Sequence, residues 1–197
     1  DAQPTTPARP VRGPLSLRVT LDDGSGFDLT EAGTQRKLAI YVVTAPEQVP
    51  GIAALGPDPL SEGFDRASLD AIVAAAGRAQ LKGVLRDQRV IAGIGNAYSD
   101  EILHAARMSP FTPAASLDEA GRQLLFDSIK RVLADALGRS SGLPPNKLKD
   151  DKRTALRVHG RTGETCDVCG TTIAEVSFAD SSLQYCPGCQ TGGKLLA

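Results

Sequence analysis

All four cysteines of this 197-residue chain lie in its last 32 residues, where they form two Cys-x-x-Cys pairs. Cys166 and Cys169 make the first pair, Cys186 and Cys189 make the second, and sixteen residues separate the pairs. Each pair adjoins or contains a glycine, which allows the tight turns that direct two sulfur atoms toward one point. Two such pairs at this separation are typical of one tetrahedral zinc site with four thiolate ligands.

Two disulfides or four free thiols are the alternatives to a metal site. The sequence has no secretory signal and no apolar run long enough to span a membrane, which favours a reducing, cytoplasmic compartment where disulfides are rare. Because cysteines fill every coordination position, the predicted zinc (Zn2+, one per chain) is structural and not catalytic. Strand-like runs at 172–178 and 183–185, joined by a polar turn, predict a β-hairpin between the two pairs.

Charge is distributed unevenly along the chain, although the formal net charge is only −1. The first 70 residues contain ten Asp and Glu against six Lys and Arg, whereas residues 147–161 contain six Lys and Arg against two Asp. A basic segment beside the metal site predicts one positively charged face and a polyanion partner. A solvated surface without a ligand is the alternative.

The first 60 residues lack a clear helical pattern. Residues 1–14, with four prolines and few apolar side chains, are expected to be a disordered leader or loop. Alternating apolar and polar residues predict strands at 15–21, 27–29 and 38–43. Three strands make a thin sheet with an uncovered face and edge, so we interpret residues 15–60 as a partial β-sandwich, the remnant of a larger β domain. A start at Asp1 instead of Met is expected for a fragment or a processed product.

Residues 61–145 have helical periodicity. The predicted helices are one capped by Asp65, one over 80–91, one over 97–108, and a long one that a Ser116–Glu119 capping box opens. A basic linker at 146–160 leads into the zinc hairpin at 161–191. The predicted fold class is therefore α+β: a partial β-sandwich remnant, a helical bundle, and a C-terminal four-cysteine zinc β-hairpin.

A short turn with two glycines, Gly93-Ile-Gly95-Asn96, separates the second and third predicted helices. Glycine tolerates positive φ, and the start of the following helix presents free N–H groups, a geometry that suits a phosphate. Lys82 and Arg86, one turn apart on the preceding helix, could place positive charge beside it. A tight helix–helix turn without a ligand is the alternative.

Residues 82–110 resemble the helix–two-turn–helix of the formamidopyrimidine-DNA glycosylase/endonuclease VIII family. Residues 158–170 and the second cysteine pair resemble the C-terminal zinc finger of that family, and residues 55–60 match its hinge region. The motifs follow the family's order and spacing, and the resemblance extends over roughly residues 15–190.

The resemblance implies a DNA glycosylase and AP lyase of base-excision repair, which excises oxidised bases and cleaves abasic sites in double-stranded DNA. In that family the target base is flipped out of the duplex, and the amine of an N-terminal proline attacks C1′ and forms a Schiff base. This chain begins with Asp1-Ala2-Gln3 and has no Pro-Glu start. The resemblance therefore predicts an N-terminally truncated chain with no catalytic residue of its own, which is inactive alone.

The resemblance also implies which residues contact DNA. Lys82 and Asn96 match the family's phosphate contacts beside the lesion, and Gly93 and Gly95 form the turn that presents them. Arg36 matches an arginine that fills the space left by the flipped base.

The tip of the predicted zinc hairpin departs from the family pattern. Ser181 occupies a position where the family commonly has an arginine that grips phosphate. Arg161, Lys152 or Lys194 could supply the missing charge, and we include Arg161 among the predicted DNA contacts.

Several polar residues near these motifs have plainer interpretations. His104 lies in an alanine-rich helix, which favours a packing role over acid–base chemistry, and His159 is interpreted as a turn residue. Asp100 and Glu101 diverge by about 100° on a helix, so they make a poor carboxylate pair. Glu101 is expected to be a surface or structural residue.

The leading function hypothesis is the damaged-DNA-binding portion of such a glycosylase/lyase, acting as a monomer on duplex DNA and not on a membrane. A truncated, non-catalytic module that binds damaged or abasic DNA is the second hypothesis. A zinc-hairpin protein whose basic linker contacts RNA or protein is the third. Preference for a kinked abasic duplex and a steep salt dependence separate the DNA hypotheses from the third.

Overall fold

The computed structural model of the chain describes residues 15–31, 37–144, 147–148, 152, 154–179 and 181–196. The predicted leader at 1–14 and Arg36 lie outside the described residues. The chain divides into two compact units between Val49 and Pro50, and each unit is described by itself. No helix in the described part of the chain is long and apolar enough to cross a membrane.

The first unit contains one antiparallel hairpin, in which β1 (Leu15–Thr20) pairs with β2 (Gly26–Thr30). Across the two strands, the Arg18 guanidinium forms an ion pair with the Asp28 carboxylate at 2.7 Å. The third predicted strand is wrong, because residues 38–43 pair with no strand in the described part of the chain. Their pattern satisfies strand propensity, but propensity alone supplies no ladder of hydrogen bonds. The hairpin is thus smaller than the predicted partial β-sandwich.

The second unit begins with a helical bundle. Its helices are α1 (Pro50–Ala53), α2 (Arg66–Ala76), α3 (Leu81–Arg86), α4 (Asn96–Ala105) and α5 (Glu119–Ser140), with a short 3-10 turn at Ala114–Ser116. They enclose one apolar core around Ile102 and Leu103 of α4, both fully buried. Phe64, Leu69, Leu85 and Ile129 belong to the same core.

The helix ends follow from local hydrogen bonds. Asp65 caps α2 as predicted, since its carboxylate accepts the Ser68 N–H. The predicted Ser116 capping box is wrong: Asp118 caps α5 by accepting the Gly121 N–H, while the Ser116 hydroxyl donates to the Pro113 carbonyl. Asp118 lies two residues after Ser116, closer to the apolar positions of α5, and its side chain offers the same type of oxygen acceptor.

Helix α3 is shorter than predicted and ends at Arg86, not at Ile91. The Asp87 carboxylate accepts the Arg89 N–H at 3.0 Å, a local side-chain turn that competes with further helix. Residues 87–91, which lie beyond the end of α3, contact residues 55–60 instead. The Gly56 N–H donates to the Gln88 carbonyl at 2.8 Å. A Cβ at position 56 would lie 2.6 Å from the carbonyl oxygen of Val90, so only glycine fits this approach.

A small zinc-finger fold completes the second unit. Strands β3 (Ala174–Ser177) and β4 (Ser182–Tyr185) form the predicted antiparallel hairpin, followed by a helical turn, α6 (Pro187–Gln190). Its own core contains Val158 and Ile173, together with the side chains of Cys166 and Cys186. The α+β class, with a helical domain and a C-terminal four-cysteine finger, is confirmed.

Candidate metal centre and nucleic-acid interface

The structure brings all four cysteines to one point. The sulfur atoms of Cys166 and Cys189 are 3.9 Å apart, and those of Cys169 and Cys186 are 3.3 Å apart. Thiolates bound tetrahedrally at a Zn–S distance of about 2.3 Å lie roughly 3.8 Å from each other, so the cluster fits one zinc ion. A Cβ at Gly188 would come within 2.9 Å of the Cys169 sulfur, so the glycine in the second pair leaves room for the first.

Burial shapes the chemistry of these thiols. It raises the pKa of Cys186 and of Cys189, so their thiolates require a nearby cation. Hydrogen bonds from Thr171 lower the pKa of the exposed Cys169 to about 6. A zinc dication supplies the compensating charge, and the predicted structural zinc is confirmed as the cofactor of this finger.

A fifth potential donor lies beside the sulfurs. The His104 Nε2 is 3.4 Å from the Cys166 sulfur, and the side chain is buried. Donor atoms of His104, Cys166, Cys186 and Cys189 all lie within 4.8 Å of one another. Burial lowers the pKa of His104, which favours the neutral imidazole. The interpretation of His104 as a packing residue therefore missed its polar contact with the metal centre.

Helix α4 presents a polar stripe to the finger, made of Asn96, Asp100 and His104 at a spacing of four residues. The Asn96 side-chain amide donates to the Ser182 carbonyl at 2.8 Å. The Asp100 carboxylate accepts the Gln184 N–H at 3.3 Å and lies 2.7 Å from His159 Nδ1. Residues four apart lie on one face of a helix. The four-residue spacing of Asn96, Asp100 and His104 was the signal that could have identified this docking face.

Asp100 also binds Lys82 of α3. The Lys82 ammonium lies 2.5 Å from Asp100 and donates to the Asn96 carbonyl at 2.8 Å. Lys82 is only 5% exposed, and desolvation lowers its pKa while Asp100 opposes that shift. The ammonium therefore holds the start of α4 in place. Its predicted contact with a DNA phosphate stays a prediction.

The neighbouring Glu101 fixes the segment that leads into the finger. Its carboxylate oxygens accept the backbone N–H groups of Arg157, Val158 and His159 at 2.8–2.9 Å. Glu101 is buried, as is Asp100, and both carboxylates contact His159: Glu101 accepts its backbone N–H, and Asp100 lies beside its ring Nδ1. Glu101 was expected to be a surface or a structural residue, and the structure shows that it is structural.

The predicted phosphate-binding turn is open to solvent. Gly93 and Gly95 are both exposed, and Gly93 has φ +82°, a left-handed conformation that favours glycine. Gly95 is the N-cap of α4 and has no side chain to cap the first N–H groups of the helix. The Asn96 Oδ1 has no hydrogen-bond partner among the described residues.

Arg161 is occupied within the finger. Its guanidinium binds Glu164 at 2.7 Å, Asp167 at 2.8 Å and the Arg157 carbonyl at 3.1 Å. Hydrogen bonds to the two carboxylates raise the pKa of Arg161. The guanidinium is 22% exposed and largely neutralised by these partners, so it contributes little free positive charge. Its role as a DNA contact remains a prediction, as does that of Arg36.

Two turns link α3 to α4, and a zinc finger is docked on α4, so the second unit has the helix–two-turn–helix fold with a C-terminal zinc finger. Residues 55–143 match the model of the formamidopyrimidine-DNA glycosylase H2TH domain, and residues 163–192 match the zinc finger found in FPG and IleRS. The chain belongs to the formamidopyrimidine-DNA glycosylase family.

Several relatives support this membership. A Mycobacterium tuberculosis protein described as an uncharacterized formamidopyrimidine-DNA glycosylase-like protein is 54% identical over 144 residues, which are 73% of this chain and 89% of that one. The Thermus thermophilus glycosylase is 37% identical over 153 residues, 74% of this chain and 57% of the enzyme.

Solved structures agree with the sequence relatives. The crystal structure of the Thermus thermophilus enzyme matches with a TM-score of 0.63 and 35% identity, over 73% of this chain and 56% of that one. A complex between the Lactococcus lactis enzyme and DNA containing an abasic site matches with a TM-score of 0.64 and 30% identity, over 76% and 57%. The chain thus spans little more than half the length of these enzymes.

The buried Lys82–Asp100 pair predicts a large stability effect. Asp100→Asn leaves the Lys82 charge without its partner in the interior, so the free energy of unfolding should fall by about 3–5 kcal/mol. Because burial already lowers the pKa of Lys82, the Lys82 ammonium of the variant can lose a proton and become a neutral amine. The unfolded state then binds more protons than the folded state, so the deficit should shrink between pH 7 and pH 9.

Asp87→Asn is the matched control, since Asp87 pairs with an Arg89 side chain that is 77% exposed. Its cost should be a small fraction of the cost of Asp100→Asn, because solvent screens an exposed pair. Denaturant unfolding at both pH values measures the two variants, and equal costs would contradict a structural role for the buried pair.

The four-cysteine cluster predicts the result of removing one sulfur. Cys186→Ser should lower bound zinc well below one per chain, because a serine hydroxyl does not replace a buried thiolate ligand. The far-UV helical signal should persist, because the apolar core of the helices is separate from that of the finger. Ser177→Ala, an exposed change on β3 of the same hairpin, should keep full zinc. Metal analysis and circular dichroism test both variants, and full zinc in Cys186→Ser would exclude Cys186 as a ligand.

Proposed function

We propose that residues 55–192 are the DNA-binding part of a base-excision repair DNA glycosylase/AP lyase. The proposed ligand is double-stranded DNA with an abasic site or an oxidised base. The observation that carries the proposal is the open turn at the start of α4. Gly93 and Gly95 are exposed there, and the Asn96 side chain is fixed by its hydrogen bond to the Ser182 carbonyl of the finger. The solved relatives described as DNA complexes contain abasic sites or modified purines, which supports this ligand class.

The turn has the chemistry of a phosphate site. The first N–H groups of a helix have no intrahelical partners, and the helix dipole adds positive potential at the same end. Helix α4 has ten residues, so its dipole is that of a full helix and not of a single turn. Of the two N–H groups on the Asn96 amide, one donates to Ser182, and the other can donate to a phosphate oxygen. These contacts position the duplex without reading its sequence.

We propose a supporting role for Lys82 in this site. Its ammonium binds the Asn96 carbonyl and Asp100, so it orients the turn that would hold the phosphate. Arg36 is proposed as a further contact by its match to the family. Arg161 is proposed as a replacement for the family arginine whose position Ser181 occupies, and it would have to exchange a carboxylate partner for a phosphate. Within this DNA-binding part, we propose a helix–two-turn–helix domain at 61–145 and a zinc finger at 161–191.

We assign the chemistry of the family to groups that have no counterpart among these 197 residues. A secondary amine bonds to C1′ of the damaged nucleotide as the glycosidic bond breaks and the base leaves, which gives a Schiff base. Elimination then breaks the C3′–O bond and releases the 3′ phosphate from the sugar. The residues described here would bind and hold the kinked duplex for that reaction. The same residues would suit a protein that binds damaged DNA without cleaving it. A glycosylase/lyase and such a non-catalytic binder therefore differ in their chemistry and not in this interface.

Removal of the Asn96 amide tests the DNA site. Asn96→Ala should weaken binding to a duplex with an abasic-site analogue by about 1–2 kcal/mol, because one phosphate contact and the support of the turn are lost. Gln80→Ala is the control, since Gln80 is an exposed amide at the far end of α3. Fluorescence anisotropy at two salt concentrations measures both variants. Unchanged affinity in Asn96→Ala would remove the turn from the interface.

Borohydride trapping tests the assignment of the chemistry. The reagent reduces a Schiff base to a stable amine, so an active lyase becomes covalently attached to abasic DNA. The 197-residue chain should bind the abasic duplex and yield no adduct, because the Pro-Glu start of the family is absent from its sequence. Denaturing electrophoresis detects the adduct, with an undamaged duplex as control. A trapped complex specific to the abasic duplex would show that the nucleophile lies within these residues.

A further inference from the structure

His104 is a buried polar group that the proposed DNA contacts do not use. It projects from α4 in the stripe that also contains Asn96 and Asp100, and its Nε2 lies 3.4 Å from the Cys166 sulfur. We propose that His104 is a positioning residue of the zinc centre, whose imidazole donates its Nε2–H to the Cys166 thiolate. This inference concerns the metal centre and stands apart from the proposed DNA site.

The number of ligand atoms around the zinc places the His104 imidazole outside the ligand set. The four cysteines already supply the four ligands of a structural zinc site, so a fifth donor must act on a ligand and not on the metal. The sulfurs of Cys169 and Cys186 lie 3.3 Å from each other and belong to the same set of four. The imidazole is then left to contact the sulfur of Cys166.

The buried surroundings favour a donor at this place. His104 is 4% exposed and Cys166 is 2% exposed, so water is largely excluded from the sulfur on this side. A thiolate in such an environment is stabilised by an N–H group directed at it. The Nε2 of His104 lies 3.4 Å from the sulfur, so a single ring N–H at this atom is within hydrogen-bond reach of Cys166. A charged imidazolium is not required.

The contact joins two parts of the molecule. Cys166 belongs to the first cysteine pair of the finger, and His104 belongs to the helix that begins at Asn96. Two helical turns, about 12 Å, separate Asn96 from His104 along α4. Outer hydrogen bonds of this kind orient metal ligands, and their loss typically costs about 10–100-fold in metal affinity. The imidazole therefore contributes to zinc retention through Cys166.

Two substitutions separate donation from packing. His104→Phe keeps a planar ring and removes the donor, so zinc transfer to a chromogenic chelator should become about 10–100-fold faster. His104→Gln places an amide N–H near the position of Nε2 and should restore much of the retention. Ser99→Ala is the control, because Ser99 is buried on the same helix and its hydroxyl donates to the Asn96 carbonyl, not to sulfur.

Spectroscopy distinguishes a sulfur contact from general loosening of the fold. In the cobalt-substituted chain, His104→Phe should shift the sulfur-to-metal charge-transfer bands, and Ser99→Ala should leave them in place. In the unmodified zinc-loaded chain, the nitrogen-15 spectrum of the His104 ring should show a protonated Nε2 and an unprotonated Nδ1. That last measurement needs no variant and decides the matter even if His104→Phe fails to fold.

Two results would overturn the proposal. An unprotonated Nε2 with the shift of a metal-bound nitrogen would make His104 a ligand, in place of one cysteine. Unchanged zinc release and unchanged cobalt bands in His104→Phe would reduce His104 to a packing residue. Faster release in Phe, recovery in Gln and a protonated Nε2 would together establish the hydrogen bond.

Discussion

The second unit of this protein depends on the burial of one carboxylate, that of Asp100. A buried charge is tolerated only when it is paired and hydrogen-bonded, and Asp100 obtains partners from three segments that are distant in sequence. Lys82 comes from α3, His159 from the segment that leads into the finger, and the Gln184 N–H from strand β4. The carboxylate is satisfied only when these segments have assembled, so its burial favours one arrangement of helices and finger.

Helix α4 has two buried faces of opposite character. Ile102 and Leu103 enter the apolar core of the bundle, while the stripe of Asn96, Asp100 and His104 meets the finger through polar contacts. Apolar packing is non-directional, whereas hydrogen bonds require particular partners at particular distances. The first face therefore stabilises the helix, and the second sets the position of the finger against it. Because the proposed phosphate site begins the same helix, its orientation is tied to both.

Much of the finger could be predicted from sequence, since the spacing of Cys166, Cys169, Cys186 and Cys189 leaves few other folds. Helix α2 was also predictable, with Asp65 as its cap. The predicted strand at 38–43 was wrong because strand formation needs a partner that a local pattern does not reveal. The start of α5 was misplaced because Ser116 and Asp118 offer similar caps, and only the Pro113 turn decides between them. Burial of Lys82 is a tertiary property, set by the position of Asp100 eighteen residues later.

The clamp that Glu101 places on the segment leading into the finger has a consequence for chain entropy. Helix α5 packs on α4, and residues 157–159 are bound to the same α4 by the Glu101 carboxylate. The connection between them is therefore a closed loop whose two ends are fixed on one helix. The cost of closing a connection between two fixed ends grows only slowly with its length. The place of the finger is therefore set by the contacts of Glu101 and not by the length of this connection.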